Sequence, residues 1–186
     1  MIEAELKARV RDPEHVHAEL EKRAVGRAEV YHDTYYDTPD RELTGGDREL
    51  RVRTVHGPDS TRTVLTYKGA RVDDASGSKP ESETAVTDAS AVHEIVRGLG
   101  YTPVIEFEKR CRNYSIEAHG RSMLATLVQV PEVDGQHWIE LETIVPDDQV
   151  DAALDDVRAV LVELGIEDGD LTTEQYTDAV AASRKD

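Results

Sequence analysis

The 186-residue chain is long enough to bury a sizeable core, and it carries 39 acidic against 22 basic residues, a net charge of −17. That balance argues against nucleic acid as a main partner, because phosphate backbones are held by net basic surface. The one cysteine, Cys111, leaves no intramolecular disulfide and no thiolate zinc site, and no apolar run reaches the roughly 18 residues of a membrane span, so a soluble cytoplasmic protein without a membrane partner or signal peptide is expected.

In chain order, residues 2–10 place Glu3, Glu5 and Lys7 alternately with apolar neighbours, the period of a β-strand. Asp12 as N-cap and Pro13 at the first helical position predict a helix to about Arg23. "RAEVYHDTYYDTP" reads as a strand ending at Pro39, and "DRELTGGD" as a turn. "ELRVRTV" and "TRTVLTYKG" form a hairpin around "HGPDS", "VDDASGSKP" is a polar loop, and "ESETAV" is a further short strand. "DASAVHEIVRGLG" predicts a short helix with Asp88 near its start and Gly98 or Gly100 stopping it. "TPVIEFEKRCRNYSIEA" and "SMLATLVQV" predict a second hairpin, and "QHWIELETIV" a last strand. Two helices close the chain, over "PDDQVDAALDDVRAVLVELG" and "TTEQYTDAVAAS". About eight strands joined by hairpins, with few helices and no internal repeat, predict an α+β fold: one domain over 1–186 built on an antiparallel barrel or strongly curved sheet with helices outside.

Several strands carry charge at alternate positions: Glu3, Glu5 and Lys7; Arg51 and Arg53; Glu81 and Glu83 after Lys79; Arg110 and Arg112; Glu140 and Glu142. Any one such stripe reads as a solvated face with exposed ion pairs. Together they resist that reading. Sixteen of the basic residues are Arg and only six are Lys, an acid-rich, Lys-poor composition suited to a halophilic, high-salt cytoplasm. Yet four of the six Lys (Lys7, Lys68, Lys79 and Lys109) lie in or beside the stripes. Charged faces turned inward need charged partners or a charged ligand. Lys and Arg would grip a polyanion, and carboxylates would hold Mg²⁺ or Mn²⁺ bridging it.

These segments resemble the CYTH family, the triphosphate tunnel metalloenzymes, which include class IV adenylate cyclases, thiamine triphosphatases and inorganic triphosphatases. "EAELK" is similar to the Glu-x-Glu-x-Lys signature that opens the family. "HDTYYDTPD", "ELRVR", "LTYKG", "KPESE", "EKRCRNY" and "WIELE" resemble its later motifs in family order over residues 2 to 142. The resemblance implies a closed eight-stranded antiparallel β-barrel, the triphosphate tunnel, with flanking helices. It implies metal ligation by Glu3, Glu5, Glu140 and Glu142. Phosphate binding falls to Lys7, Arg51, Arg53, Lys68, Arg110 and Arg112, with Lys109 as a candidate against the parity that favours the two arginines. Glu81, Glu83 and Lys79 complete the lining. Tyr35 and Lys68 are the catalytic candidates: Lys68 among other cations would have its charged form disfavoured and help Tyr35 act on water, while Tyr35 reads equally as a wall residue.

The family carries an Asp twelve residues before the first Glu of the closing pair, and this chain has Val128 there. Asp134 is the substitute if its loop folds inward. His32, His93 and His137 lack metal-ligand spacing, and Trp138 is expected to pack. The implied substrate is a nucleoside or organic triphosphate or inorganic tripolyphosphate. It is either cyclised by its ribose 3′-hydroxyl or hydrolysed by water; the alternative is a non-catalytic polyphosphate or nucleotide binder. A homodimer is left open.

Overall fold

Alternation forces each strand to offer one face to water or ligand and one to the helices. The computed structural model describes residues 2–72 and 79–185. Eight antiparallel strands close into a barrel: β1 (Ile2–Arg9), β2 (Arg27–Asp37), β3 (Glu49–His56), β4 (Thr61–Lys68), β5 (Lys79–Val86), β6 (Thr102–Ala118), β7 (Arg121–Gln129) and β8 (His137–Val145). Their order around the barrel is β1-β5-β4-β3-β2-β6-β7-β8. The helices are α1 (Pro13–Glu21), α2 (Glu42–Gly45), α3 (Ala89–Gly98), α4 (Val150–Glu163) and α5 (Tyr176–Ser183). Most of the "VDDASGSKP" loop, residues 73–78, lies outside the described residues, and its last two residues already belong to β5.

The helix starts follow local chemistry. Asp12 Oδ1 accepts from the His15 N–H and Asp88 Oδ1 from the Ala91 N–H, both at 3.0 Å, caps that contribute about 1 kcal/mol each. The "DRELTGGD" turn contains the single-turn α2, held by Asp37, which accepts from the Leu43 and Thr44 N–H groups at 2.9 and 3.0 Å.

One apolar cluster lies outside the barrel wall, and another, which includes Tyr31, Val55 and Tyr176, borders the inner cavity. Leu6, Ala8, Ile139 and Leu141 pack under Val157, Val160 and Leu161 of α4, and Val16 and Leu20 of α1 join the same cluster. Val92 and Val96 of α3 cover Tyr36 and Val52. Burying these rows at about 25 cal/mol per Å² is what turns the intervening charged rows inward. One stretch departs from expectation: "TTEQYTDAVAAS" becomes helical only at Tyr176. Before it, Leu171 bridges Ala8, and the Thr172 N–H donates to the Lys7 carbonyl at 2.9 Å, so this segment pairs with β1 instead of coiling.

Candidate functional site

The inward rows enclose a cavity of about 270 Å³. Eight of its lining residues are Lys or Arg and seven are Glu, so in a chain of net charge −17 this space is close to neutral. All four stripe lysines, Lys7, Lys68, Lys79 and Lys109, line it. Thr172, Thr173, Gln175 and Tyr176 bring the C-terminal segment into its wall.

Strand pairing fixes which charges meet. Asp33 of β2 faces Arg53 of β3 and accepts from its Nε at 2.6 Å and its Nη2 at 2.7 Å. Burial pushes the Asp33 carboxyl up, but the Arg53 guanidinium overrides it and holds the carboxyl well below the usual range. Lys68 Nζ donates to Glu3 at 2.6 Å and lies 2.8 Å from Glu81. Lys79 Nζ donates to Glu49 at 2.7 Å. Arg51 donates to Thr66 through Nη2 at 3.3 Å, while its buried Nε has no hydrogen-bond partner among the described residues. A buried donor left open costs stability unless an acceptor arrives, and a phosphate oxygen is such an acceptor.

One oxygen from each of Glu3, Glu5 and Glu142 lies within 4.8 Å of the others. Burial, with Glu140 and Glu3 nearby, pushes the Glu5 carboxyl up to about 7. Burial and the charges of Glu3, Glu5 and Glu140 push Glu142 well above its ordinary value. Glu3 is lowered despite its burial, because Lys68 pairs with it. These three oxygens suit a hard divalent cation, which would replace the protons that burial and mutual repulsion favour on Glu5 and Glu142. Glu140 is different: burial raises it, but Lys109 and Lys7 bring it down to about 2. The Lys7 and Lys109 ammoniums lie 4.7 and 4.5 Å from the centre of the Tyr176 ring. Glu140 is not one of the three mutually closest carboxylates, although it lies near enough to Glu5 to help raise it.

The structure brings Glu3, Glu5, Lys7, Arg51, Arg53, Lys68, Lys79, Glu81, Glu83, Lys109, Glu140 and Glu142 to one cavity. It does not bring Arg110 and Arg112 there. Their side chains are 61 % and 44 % exposed and pair with Glu108 and Glu21, whereas Lys109 is 2 % exposed. The parity of β6 is set by Phe107 and Cys111, which are buried with Lys109 on one face, so the two arginines turn outward.

The pairing of Lys68 with Tyr35 also changes. Burial disfavours the Lys68 ammonium, but Glu3, Glu5 and Glu81 raise it well above its ordinary value, so it stays charged. Tyr35 stacks on Phe107, ring centroids 5.8 Å apart, and burial pushes its hydroxyl up to about 12 despite Arg51. In the metal-free protein Lys68 is thus held charged and the Tyr35 hydroxyl protonated, whereas a disfavoured Lys68 ammonium was expected.

Val128 lies opposite Cys111 and Trp138 in an apolar cluster. The β7 residue opposite Glu142 is Leu124, four residues or about 13 Å along the strand. Val128 therefore leaves no gap at the carboxylates, and Asp134 is exposed in its loop. Trp138 packs edge-on to Tyr176, centroids 5.3 Å apart, and His93 Nδ1 hydrogen-bonds the Tyr36 hydroxyl.

Residues that pattern reading passed over include Asp33, Glu49, Arg62 and Tyr176. Glu49 shares the parity of Arg51, and Arg62 that of Lys68, so those two were within reach of the alternation argument. Tyr176 carried no signal, because a long-range bridge positions it.

Comparison with known proteins agrees with this geometry. The model of the CYTH domain matches residues 1–176. A Methanocaldococcus jannaschii protein named "putative adenylate cyclase" is 26 % identical over 180 residues, covering 95 % of this chain and 97 % of that protein. The structure of a Pyrococcus horikoshii protein superposes with a TM-score of 0.85 at 27 % identity, covering 98 % of this chain and 99 % of the other. A Hippeastrum protein, described as a putative adenylyl cyclase with a dominant triphosphatase activity, shares the fold at a TM-score of 0.66 and 16 % identity, covering 98 % and 96 %. With its closed eight-stranded antiparallel barrel, its charged interior and that match along nearly its full length, the chain belongs to the CYTH family.

Proposed function

We propose that the chain is a divalent-metal-dependent enzyme that cleaves the triphosphate of a nucleotide or other triphosphate ester inside the barrel. The observation that carries this is the cavity itself: three mutually close carboxylates on one side and a set of Lys and Arg on the other, with an open buried donor on Arg51. Glu3, Glu5 and Glu142 would hold Mg²⁺ or Mn²⁺, which supplies Lewis-acid charge neutralisation on the phosphate oxygens. Lys7, Lys109 and Arg51 bind phosphate oxygens and stabilise the charge that develops on them. Asp33 fixes the Arg53 guanidinium, and Glu3 with Glu81 fixes Lys68, so these cations are oriented before substrate arrives. Tyr35 serves as wall and hydrogen-bond donor.

The reaction transfers a phosphoryl or nucleotidyl group either to water or to a ribose hydroxyl. The names of the Methanocaldococcus and Hippeastrum proteins support one reaction each. The alternative of a non-catalytic polyphosphate binder rested on Val128, which lies in the apolar layer, so nothing at the carboxylates favours it. Among the described residues no helix is long and apolar enough to cross a membrane, and the acidic composition supports activity in a cytoplasm of high salt.

The test is to incubate the pure protein with ATP, thiamine triphosphate and tripolyphosphate, with Mg²⁺ or Mn²⁺, in low and high salt. Cyclic AMP with pyrophosphate identifies a cyclase, and orthophosphate a hydrolase. Absence of turnover under every condition, or turnover unaffected by Glu3→Gln, overturns the proposal.

A further inference from the structure

Arg51 and Arg53 stand two residues apart on the inward row of β3, and their partners differ in kind. Arg53 is opposite Asp33 on β2 and Val64 on β4, and the Asp33 carboxylate accepts from its Nε and Nη2 at 2.6 and 2.7 Å. Arg51 is opposite Tyr35 on β2 and Thr66 on β4. It donates from Nη2 to the Thr66 hydroxyl at 3.3 Å, and its buried Nε has no hydrogen-bond partner among the described residues.

Thr66 is only 1 % exposed, and its own proton is already committed: the hydroxyl donates to Glu83 Oε2 at 2.8 Å. The three residues share one rung of the sheet, Arg51 opposite Thr66 and Thr66 opposite Glu83 on β5. A hydroxyl carries one proton and two lone pairs. With the proton held on the Glu83 side, a lone pair faces Arg51, so the chain of hydrogen bonds runs in a fixed direction. The contrast with Arg53 is one of charge. A carboxylate engages two N–H groups of Arg53 and offsets its charge. A neutral hydroxyl engages one N–H group of Arg51 and leaves the charge and the remaining donors for a phosphate.

We infer that Thr66 is a positioning residue: its hydroxyl, polarised by Glu83, aims the Arg51 guanidinium at the phosphate chain without neutralising it. Of the two arginines, Arg51 is then the one that grips substrate and Arg53 the one that serves the wall. The inference rests on the triphosphate reading above, and its test separates the two.

Calorimetric titration with tripolyphosphate in Mg²⁺ would give the dissociation constant, or KM wherever the ligand turns over. Thr66→Val, which replaces the hydroxyl by a methyl group of similar size, is expected to weaken tripolyphosphate about tenfold. Thr66→Ser, which keeps the hydroxyl, is expected to stay within threefold. In an Arg51→Lys background, where the charge remains but the planar fork is gone, Thr66→Val is expected to change affinity by less than twofold. A purely structural role would carry the same loss into both backgrounds. Should Thr66→Val not fold, Glu83→Ala at its exposed position is expected to weaken binding about threefold, again only while Arg51 is present. An unweakened Thr66→Val, a Thr66→Ser as weak as Thr66→Val, or an equal loss in the Arg51→Lys background would each overturn the inference. A wild type that binds tripolyphosphate but cleaves no triphosphate sinks the enzymatic reading and leaves the role of Thr66 standing; one that binds none sinks both.

Discussion

Glu140 and Glu142 stand two residues apart on one face of β8, and the tunnel treats them in opposite ways. Around Glu142 the neighbours are Glu3 and Glu5, and its carboxyl is driven up. Around Glu140 they are Lys109 and Lys7, and the carboxyl falls to about 2 although burial opposes it. In the metal-free protein the two carboxyls of the Glu-x-Glu motif are therefore not equivalent. The strands on either side decide, and β1 supplies both environments by carrying Glu3, Glu5 and Lys7 along a single row.

Amide substitution should break this comparison most sharply. Glu5→Gln and Glu142→Gln are expected to lower kcat/KM about a thousandfold or more, roughly 4 kcal/mol of transition-state stabilisation, while the metal-free melting temperature holds or rises because repulsion is relieved. Glu140→Gln is expected to leave measurable turnover and to lower the melting temperature, since Lys7 and Lys109 lose their counter-charge. Rates against Mg²⁺ concentration, together with thermal melts, check both arms; three indistinguishable variants would merge the two regions into one.

The basic side of the comparison is sharpened at Asp33. Asp33→Asn leaves the buried Arg53 guanidinium without its charged partner, and a loss of about 3 kcal/mol is expected in urea unfolding. A loss under about 1 kcal/mol would mean that water reaches Arg53 and that this wall is not preorganised.

Titration offers a subtler probe. The folded-state value of Glu5, about 7, lies above its ordinary value of 4.5. Its contribution to stability is therefore fully present below pH 4.5 and is lost as the pH rises through 7. In chelator, the melting temperature should decline between pH 5 and 8, and Glu5→Gln should flatten that decline. With Mg²⁺ present the trend should weaken, because the cation binds the deprotonated form. A wild-type profile identical to that of Glu5→Gln would show that Glu5 is already ionised in the metal-free protein.

The smallest effects belong to the outward face of β6. Arg110→Ala and Arg112→Ala should each change stability by under about 0.5 kcal/mol and leave KM for tripolyphosphate within twofold, because both pairs are solvent-exposed. A tenfold rise in KM for either would place that arginine at the substrate.

Alternation and turn signals made an antiparallel barrel or strongly curved sheet legible, and its closure into eight strands came from the resemblance to the family. The acidic cluster came the same way, because alternation alone left the rows of Glu3, Glu5 and Glu142 readable as solvated faces. β6 was harder. Glu106, Glu108, Arg110 and Arg112 form one alternating charged row, while the row with Phe107 and Cys111 holds a single Lys, so counting charges favours the wrong face. The better signal was the company Lys109 keeps: a lone cation on an apolar row is buried with it. Tyr176 and the late start of α5 were beyond local reading, since both depend on Leu171 meeting Ala8, more than 160 positions away in the sequence.

A wall with greasy packing outside and ions inside also constrains how β1 can pair while the chain folds. A slip of one residue would send Ile2, Ala4 and Leu6 into the ionic lumen and push Glu3, Glu5 and Lys7 beneath α4. Both sides of the strand would object at once, one by losing buried area and the other by burying unpaired charge. Misaligned closures are thus excluded from each direction, and the row that grips the ligand also proofreads the register of the sheet that carries it.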